Sequence, residues 1–358
     1  MKRIAPLFVL AASCAGKYKA PPPVPSIPLP SGAQLKPYDA NRPGLARPSG
    51  MAEYAGKAYV ALGNYDLGYT VRGPGMLAAI VPSVGQPILI DLGGSDGKQC
   101  QSAGFVRAAG GKIYVTCSGD YSAGTGTAVV EVDPAVGAVS RRVSTPTSPV
   151  GVAVGIDKIW FGDAIAGKVY AIDRSSFTLS GGPVALHCPT TGNYTTTNDV
   201  AIIGGDLYAI CSNSTAGVLT RLDASTGAIK GDAQVGPVAV EMAETGDGRI
   251  AIVSGTDNKL RLVTLGTLAV EVGYKFSDTT ATLQDVRARN QFLFTVASSS
   301  NTVQKIDLSA KGGPKLVAEA NVGEGANPWN ILPLDDDQAI VSNQMANTIT
   351  AVNWKQVP

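Results

Sequence analysis

The 358-residue chain is long enough for one large domain or two ordinary ones. It is 44% apolar and only 16% charged, and its 42 Gly residues favour short strands and tight turns over helices. The formal net charge is +1 with no cluster of Lys and Arg, which argues against a nucleic-acid partner.

Met1, Lys2 and Arg3 make a positive start, residues 4–12 a short apolar run, and Ala11, Ala12 and Ser13 place small side chains before Cys14. That order reads as an export signal over residues 1–13. It resembles a bacterial lipobox, which implies that Cys14 becomes the lipidated first residue; ordinary secretory cleavage is the alternative. The apolar run is too short to cross a bilayer as a helix. By analogy with enteric lipoproteins, Ala15 rather than Asp after the lipid site points to the outer membrane. Pro21, Pro22, Pro23, Pro25, Pro28 and Pro30 crowd the next segment. Proline at that density favours extended polyproline II. Residues 14–30 are therefore expected to be a tether, and residues 31–358 the folded body.

A short motif then recurs, a polar residue followed by apolar or aromatic ones. It centres on Tyr59, Tyr114, Trp160 and Tyr208, with weaker copies at Ala251, Leu293 and Ile340, spaced by 42 to 55 residues. Each copy is followed by a second strand-like segment that ends near an Asp or a polar stand-in, such as Asp133, Asp173, Asp223 and Asp307. Several of these enter Asp- and Gly-containing turns, a chemistry suited to tight reversals. About four short strands per unit is the period of a propeller blade. The expected fold is all-β, a seven-bladed β-propeller of four-stranded antiparallel blades. The last unit runs out after three strands. An N-terminal strand, expected within residues 33–39, would complete it and close the ring.

In the later units Ser300, Asn301, Thr302 and Val303 precede Ile306 and Asp307; Val322, Gly323 and Pro328 follow, then Asn347, Thr348 and Ile349. These residues resemble the blade pattern of the YncE-like family of bacterial seven-bladed propellers, clearly over residues 283–353. The resemblance implies the fold. Its motifs belong to the scaffold and imply no particular activity.

Cys117 and Cys211 each lie three residues after a motif Tyr, at the same blade position, while Cys100 and Cys188 precede the inner strands of those blades. In a propeller, the connection into an inner strand and the exit of the second strand share a face. The repeat register thus predicts disulfides Cys100–Cys117 and Cys188–Cys211, in an oxidising compartment. Free buried thiols are the alternative.

His187 is the only histidine. It is expected at the surface or against the disulfide rather than as a base or ligand. Asp335, Asp336 and Asp337 are expected to form a solvated turn, and no metal or cofactor is expected. Insertions point to the working face, because scaffold-borne loops usually carry function. They hold Tyr65, Tyr69 and Arg72 in the first unit, Asp120 and Tyr121 in the second, and Tyr194 before the fourth; Trp329 is an outlying contact. Tyr and Arg are common interface anchors. The expected function is that of a non-enzymatic envelope lipoprotein that binds a protein, peptide or glycan through one face. The alternative is a lactonase-like or other propeller hydrolase or lyase, with its site at the central channel.

Overall fold

The computed structural model describes residues 26–36, 44–70, 72–81, 87–120, 125–190 and 195–357. They form seven antiparallel sheets, the blades, arranged in a ring. The first strand of each blade is innermost and packs against the first strands of both neighbours. In chain order these inner strands are Pro48–Tyr54, Ala103–Ala109, Pro149–Val154, Thr196–Ile203, Ala239–Glu244, Leu283–Arg289 and Pro328–Pro333. The seven-bladed propeller expected from the repeats is the observed fold.

Each blade is covered on both faces, so its second strand is apolar almost throughout rather than alternating. In Lys112–Asp120 every residue from Ile113 to Gly119 is buried. Successive side chains of a strand point to opposite faces. Ile113, Val115 and Cys117 accordingly join a core shared with blade 1, and Tyr114 joins one shared with blade 3. Seven such clusters occur among the described residues, one for each interface between blades. The motif residues Tyr59, Tyr114, Trp160 and Tyr208 each cross into the core shared with the following blade. In blade 6 that role falls to Phe294, one residue beyond the Leu293 expected from the sequence. The hairpin turns through Asn290 at φ 51°, which sets Phe292 opposite Arg289 as Lys57 stands opposite Tyr54.

The ring closes through an N-terminal strand, but not the one expected. Ser26–Pro28 pairs with Thr348–Asn353, with Ser26 opposite Thr350, and completes blade 7. The Ser26 and Thr350 hydroxyls lie 2.6 Å apart, and the Leu29 N–H donates to the Asn347 carbonyl. Residues Gly32–Leu35 form a 3₁₀ turn that drives Leu35 into the core between blades 7 and 1, beside Leu29; residues 37–43 lie outside the described chain. The folded body therefore begins inside the segment expected to be a tether. Proline had argued against a strand there, yet an outermost strand needs no outward N–H and tolerates it.

Both expected disulfides are present, Cys100–Cys117 and Cys188–Cys211. They close loops of 17 and 23 residues, which corresponds to roughly 3 kcal/mol of restricted unfolded-chain entropy each. A protein truncated to begin at Pro30 should melt substantially lower than the full body by differential scanning fluorimetry. It exposes the outer edge of Thr348–Asn353 and forfeits the seam to Asn347. An unchanged melting temperature would show that three strands suffice for blade 7.

Candidate binding site at the channel mouth

The face that carries both disulfides also carries a long loop, residues 63–75 of blade 1. Asn64 anchors it. This side chain is fully buried, sits at φ 53°, and donates to the Leu35 and Pro74 carbonyls at 2.6 and 2.8 Å. Two rings of the loop pack between two cations. The Arg47 guanidinium lies 4.7 Å from the Tyr69 ring, Tyr69 packs 5.5 Å from Tyr65, and Arg72 lies 5.4 Å from the Tyr65 ring. Arg72 then reaches the Ser102 hydroxyl at 2.8 Å, which ties the loop to blade 2. The Asp66 carboxylate accepts the Thr70 N–H and hydroxyl, closing the turn from within.

Below this loop the channel opens into a cavity of about 330 Å³. Tyr65, Phe105 and Trp329 supply aromatic wall, and Ser49, Ser118, Thr196, Asn198, Gln284, Asn330 and Gln344 supply polar groups. Among the described residues, Glu241 is the only charged one in the lining. All seven blades contribute.

One position of the inner strands, nine or ten residues ahead of the residue that crosses into the next blade's core, holds Gly50, Phe105, Gly151, Asp199, Glu241, Asp285 and Asn330, of which Gly50, Phe105, Glu241 and Asn330 line the cavity. Each lies at or beside a bulge in its strand. Where the residue is polar, it generally reaches the next blade. Asp199 accepts the Met242 N–H at 3.2 Å, Asp285 the Ile331 N–H at 2.7 Å and Asn330 the Met51 N–H at 3.0 Å. Where it is Gly, the strands approach too closely for a side chain. A Cβ on Gly50 would stand 2.5 Å from the Gly104 carbonyl oxygen, and one on Gly151 2.7 Å from the Val200 nitrogen.

Two residues further along, Arg107 and Arg287 occupy the wall on the same strand faces. They line a second cavity of about 330 Å³ at the opposite mouth, together with Glu244. Arg287 joins the two levels. It donates to Glu241 at 3.0 Å and pairs with Asp285 at 3.2 Å. Asp199, Glu241 and Asp285 are 1%, 5% and 1% exposed. Burial disfavours their charged forms and raises all three pKa values. Asp199 goes up to about 6, held from going further by Arg107, Arg287 and the N–H groups of Met242 and Val200. Glu241 is raised well above the usual carboxylate range by burial and by the charge of Asp199. Burial also works against the Arg287 charge, but Asp285, Glu241 and Asp199 outweigh it and hold that guanidinium above its ordinary value.

The structure brings two of the expected contact residues, Tyr65 and Trp329, into the mouth cavity. Trp329 belongs to the inner strand of blade 7 rather than to a connection before it. Tyr69 and Arg72 pack around Tyr65 as its support. Asp120 ends the second strand of blade 2, opposite Thr125. Tyr121, Tyr194 and Cys14 lie outside the described residues. The lining is a full circle rather than the one sector expected from blades 1, 2 and 4. Sequence reasoning missed Asp199, Glu241, Asp285 and the two arginines; their similar offsets from the motif were the available signal. His187 is exposed, with Nδ1 2.7 Å from Asp232 on the outer strand of blade 4. Asp335 accepts the N–H groups of Asp337 and Gln338, as a turn residue does. No group of three His, Cys, Asp or Glu able to hold a metal occurs among the described residues.

No family model matches the sequence, and no curated protein does either. Solved structures match over nearly the whole chain. A streptogramin B lyase aligns with a TM-score of 0.68 at 15% identity, covering 88% of this chain and 94% of its own. A catalytically inactive virginiamycin B lyase from Staphylococcus aureus, solved with quinupristin, gives 0.67 at 14% identity over 92% and 98%. A chain of the mitotic checkpoint complex gives 0.65 at 12% identity over 96% and 99%. At these identities the likeness is one of fold.

The raised Asp199 carboxyl makes a pH prediction. Its native form binds a proton more tightly than the unfolded chain does. Its contribution to stability is therefore present at low pH and is lost as pH rises from about 4 through about 6. Asp199→Asn removes that titration and keeps an acceptor of the kind Asn330 offers in blade 7. The melting temperature of the variant minus that of the wild type should therefore become more positive, by a few degrees, between pH 4 and pH 7. A difference that stays constant across that range would refute this titration.

Proposed function

We propose that this protein is an exported, lipid-anchored binding propeller that holds an envelope protein, peptide or glycan at its channel mouth and is not an enzyme. The observation that carries the reading is the mouth cavity itself. Its aromatic wall rests on a loop fixed by Asn64, by the stack from Arg47 to Arg72 and by the bond to Ser102. Both disulfides stand on this face, and Ala164, from the loop that packs on Cys188, lines the cavity. A mouth held rigid before binding loses less entropy on binding. The two disulfides also favour an oxidising compartment. With them, the export signal and Cys14 support an envelope location, with the outer membrane as the proposed address. The blade pattern over residues 283–353 supports placing the chain with the YncE-like propellers.

The lyase reading has less support. The structure solved with quinupristin is described as catalytically inactive through a histidine-to-alanine change. Here the one histidine pairs with Asp232 at the outer rim of a blade, away from both channel mouths. Asp199, Glu241, Asp285 and Arg287 at the channel are already engaged with one another or with the backbone.

Two experiments test the reading. Cys14→Ser should move the protein from the membrane fraction to the soluble exported fraction, and a variant that stays with the membrane would place the anchor elsewhere. Partners crosslinked to the wild type in detergent-solubilised envelopes should be lost with Tyr65→Ala and Trp329→Ala combined, while the melting temperature falls by no more than about 4 °C. Unchanged crosslinks in a folded double variant would remove the mouth from consideration.

A further inference from the structure

We propose that the channel mouth takes an organic cation, a primary amine carried on an apolar group, with its ammonium against Glu241. The inference rests on the mouth being the binding site and assigns the chemistry of what enters it.

Charge at the channel is not balanced. Asp199, Glu241 and Asp285 face Arg107 and Arg287, and Glu244 lies at the opposite mouth, so full ionisation leaves carboxylates in excess of guanidiniums. Two of the three carboxylates are committed to the scaffold. Asp199 accepts the N–H groups of Val200 and Met242, and Asp285 accepts Ile331 N–H and pairs with Arg287. Glu241 is different. Its Oε1 takes Arg287 Nη2 at 3.0 Å, while no hydrogen bond to Oε2 is found among the described residues, and the residue lines the cavity. The residue is only 5% exposed, and it meets the cavity that it lines. An acceptor in that state gains from any donor that reaches it, and most from a charged one.

The surroundings select the donor. Among the described residues, Glu241 is the sole charged one of the lining, and the two arginines lie toward the opposite mouth. A ligand entering from the loop face therefore meets carboxyl oxygen first, and an ammonium placed there restores the charged form of Glu241 that burial disfavours, whereas an anion disfavours it further. A divalent metal would need several oxygens at once, and the described residues hold no such group. A single carboxylate suits an ammonium. Trp329 and Phe105 line the same cavity, and aromatic faces attract cations and cover apolar groups. The Tyr65 ring already has Arg72 over it at 5.4 Å, so the new cation is assigned to the other walls.

The test is calorimetric titration of the full-length protein at pH 7 with phenethylamine, with its neutral counterpart 2-phenylethanol and with 3-phenylpropanoate. The amine should bind at least tenfold tighter than the alcohol, and the carboxylate weakest of the three. Glu241→Gln, which keeps an oxygen for Arg287, should reduce the amine to the level of the alcohol. Trp329→Ala should weaken amine and alcohol alike. The comparison of the three probes on the wild type stands even if Glu241→Gln fails to fold. Equal binding of amine and alcohol, no amine binding at millimolar concentration, or competition by calcium chloride at equal concentration would each overturn the cation assignment. If the amine binds but Trp329→Ala leaves it untouched, the mouth itself is the wrong site, and the reading beneath this one fails instead.

Discussion

Between blades 4 and 5, 6 and 7, and 7 and 1, a side-chain oxygen of one inner strand accepts the backbone N–H of the next, from the same position each time. An inner strand has a sheet partner on one side only. Its buried N–H groups on the other side need an acceptor, and leaving one unmet costs about 1–3 kcal/mol. The side chain must be short and placed at the bulge, so Asp and Asn serve. Glu241, one carbon longer, overshoots the backbone and meets Arg287 instead. At two of the other joints the strands touch directly through Gly50 and Gly151. The diameter of the channel, and hence the size of both cavities, follows from these contacts.

This solution brings carboxylates into a low-dielectric wall, where they are costly unless paired. Arg107 and Arg287 answer them from two residues along the strands, and the period of two makes that placement automatic. The channel thereby acquires an acidic upper level and a basic lower level. The polarity is a by-product of holding blades together, yet it differentiates one mouth from the other as sharply as a dedicated site would.

Much of the scaffold was legible in the sequence because it repeats. Tyr59, Tyr114, Trp160 and Tyr208 recur because every interface needs a large side chain at that point. The cysteine pairs followed from the same register. The ring of joints between inner strands was not read, although its offset from the motif varies by only a residue or two. Seven neighbours demand seven different joints there, and Gly50, Phe105, Gly151, Asp199, Glu241, Asp285 and Asn330 share a place without sharing a chemistry. The closing strand was misplaced because proline density dominated the reading of residues 14–30. Tyr65 was found through the length of its loop, whereas its role depends on Arg72 and Tyr69 closing around it, a contact no spacing reveals.

The strand Ser26–Pro28 also orders events in time. Ser26 and Thr350 are 324 residues apart in the chain, so the earliest strand to be synthesised waits for the latest. Joining such distant ends of a structureless chain costs about 5 kcal/mol more than a contact between adjacent residues. Stacking each blade on the one before it curls the chain into an arc and brings the ends together without that expense. Until the final contact forms, the arc keeps two raw edges: the unpaired side of Thr348–Asn353 and the face of blade 1 that awaits Leu35. Folding is thus gradual along the ring and abrupt at its seam. The slowest and most aggregation-exposed moment falls when everything except the latch is already native.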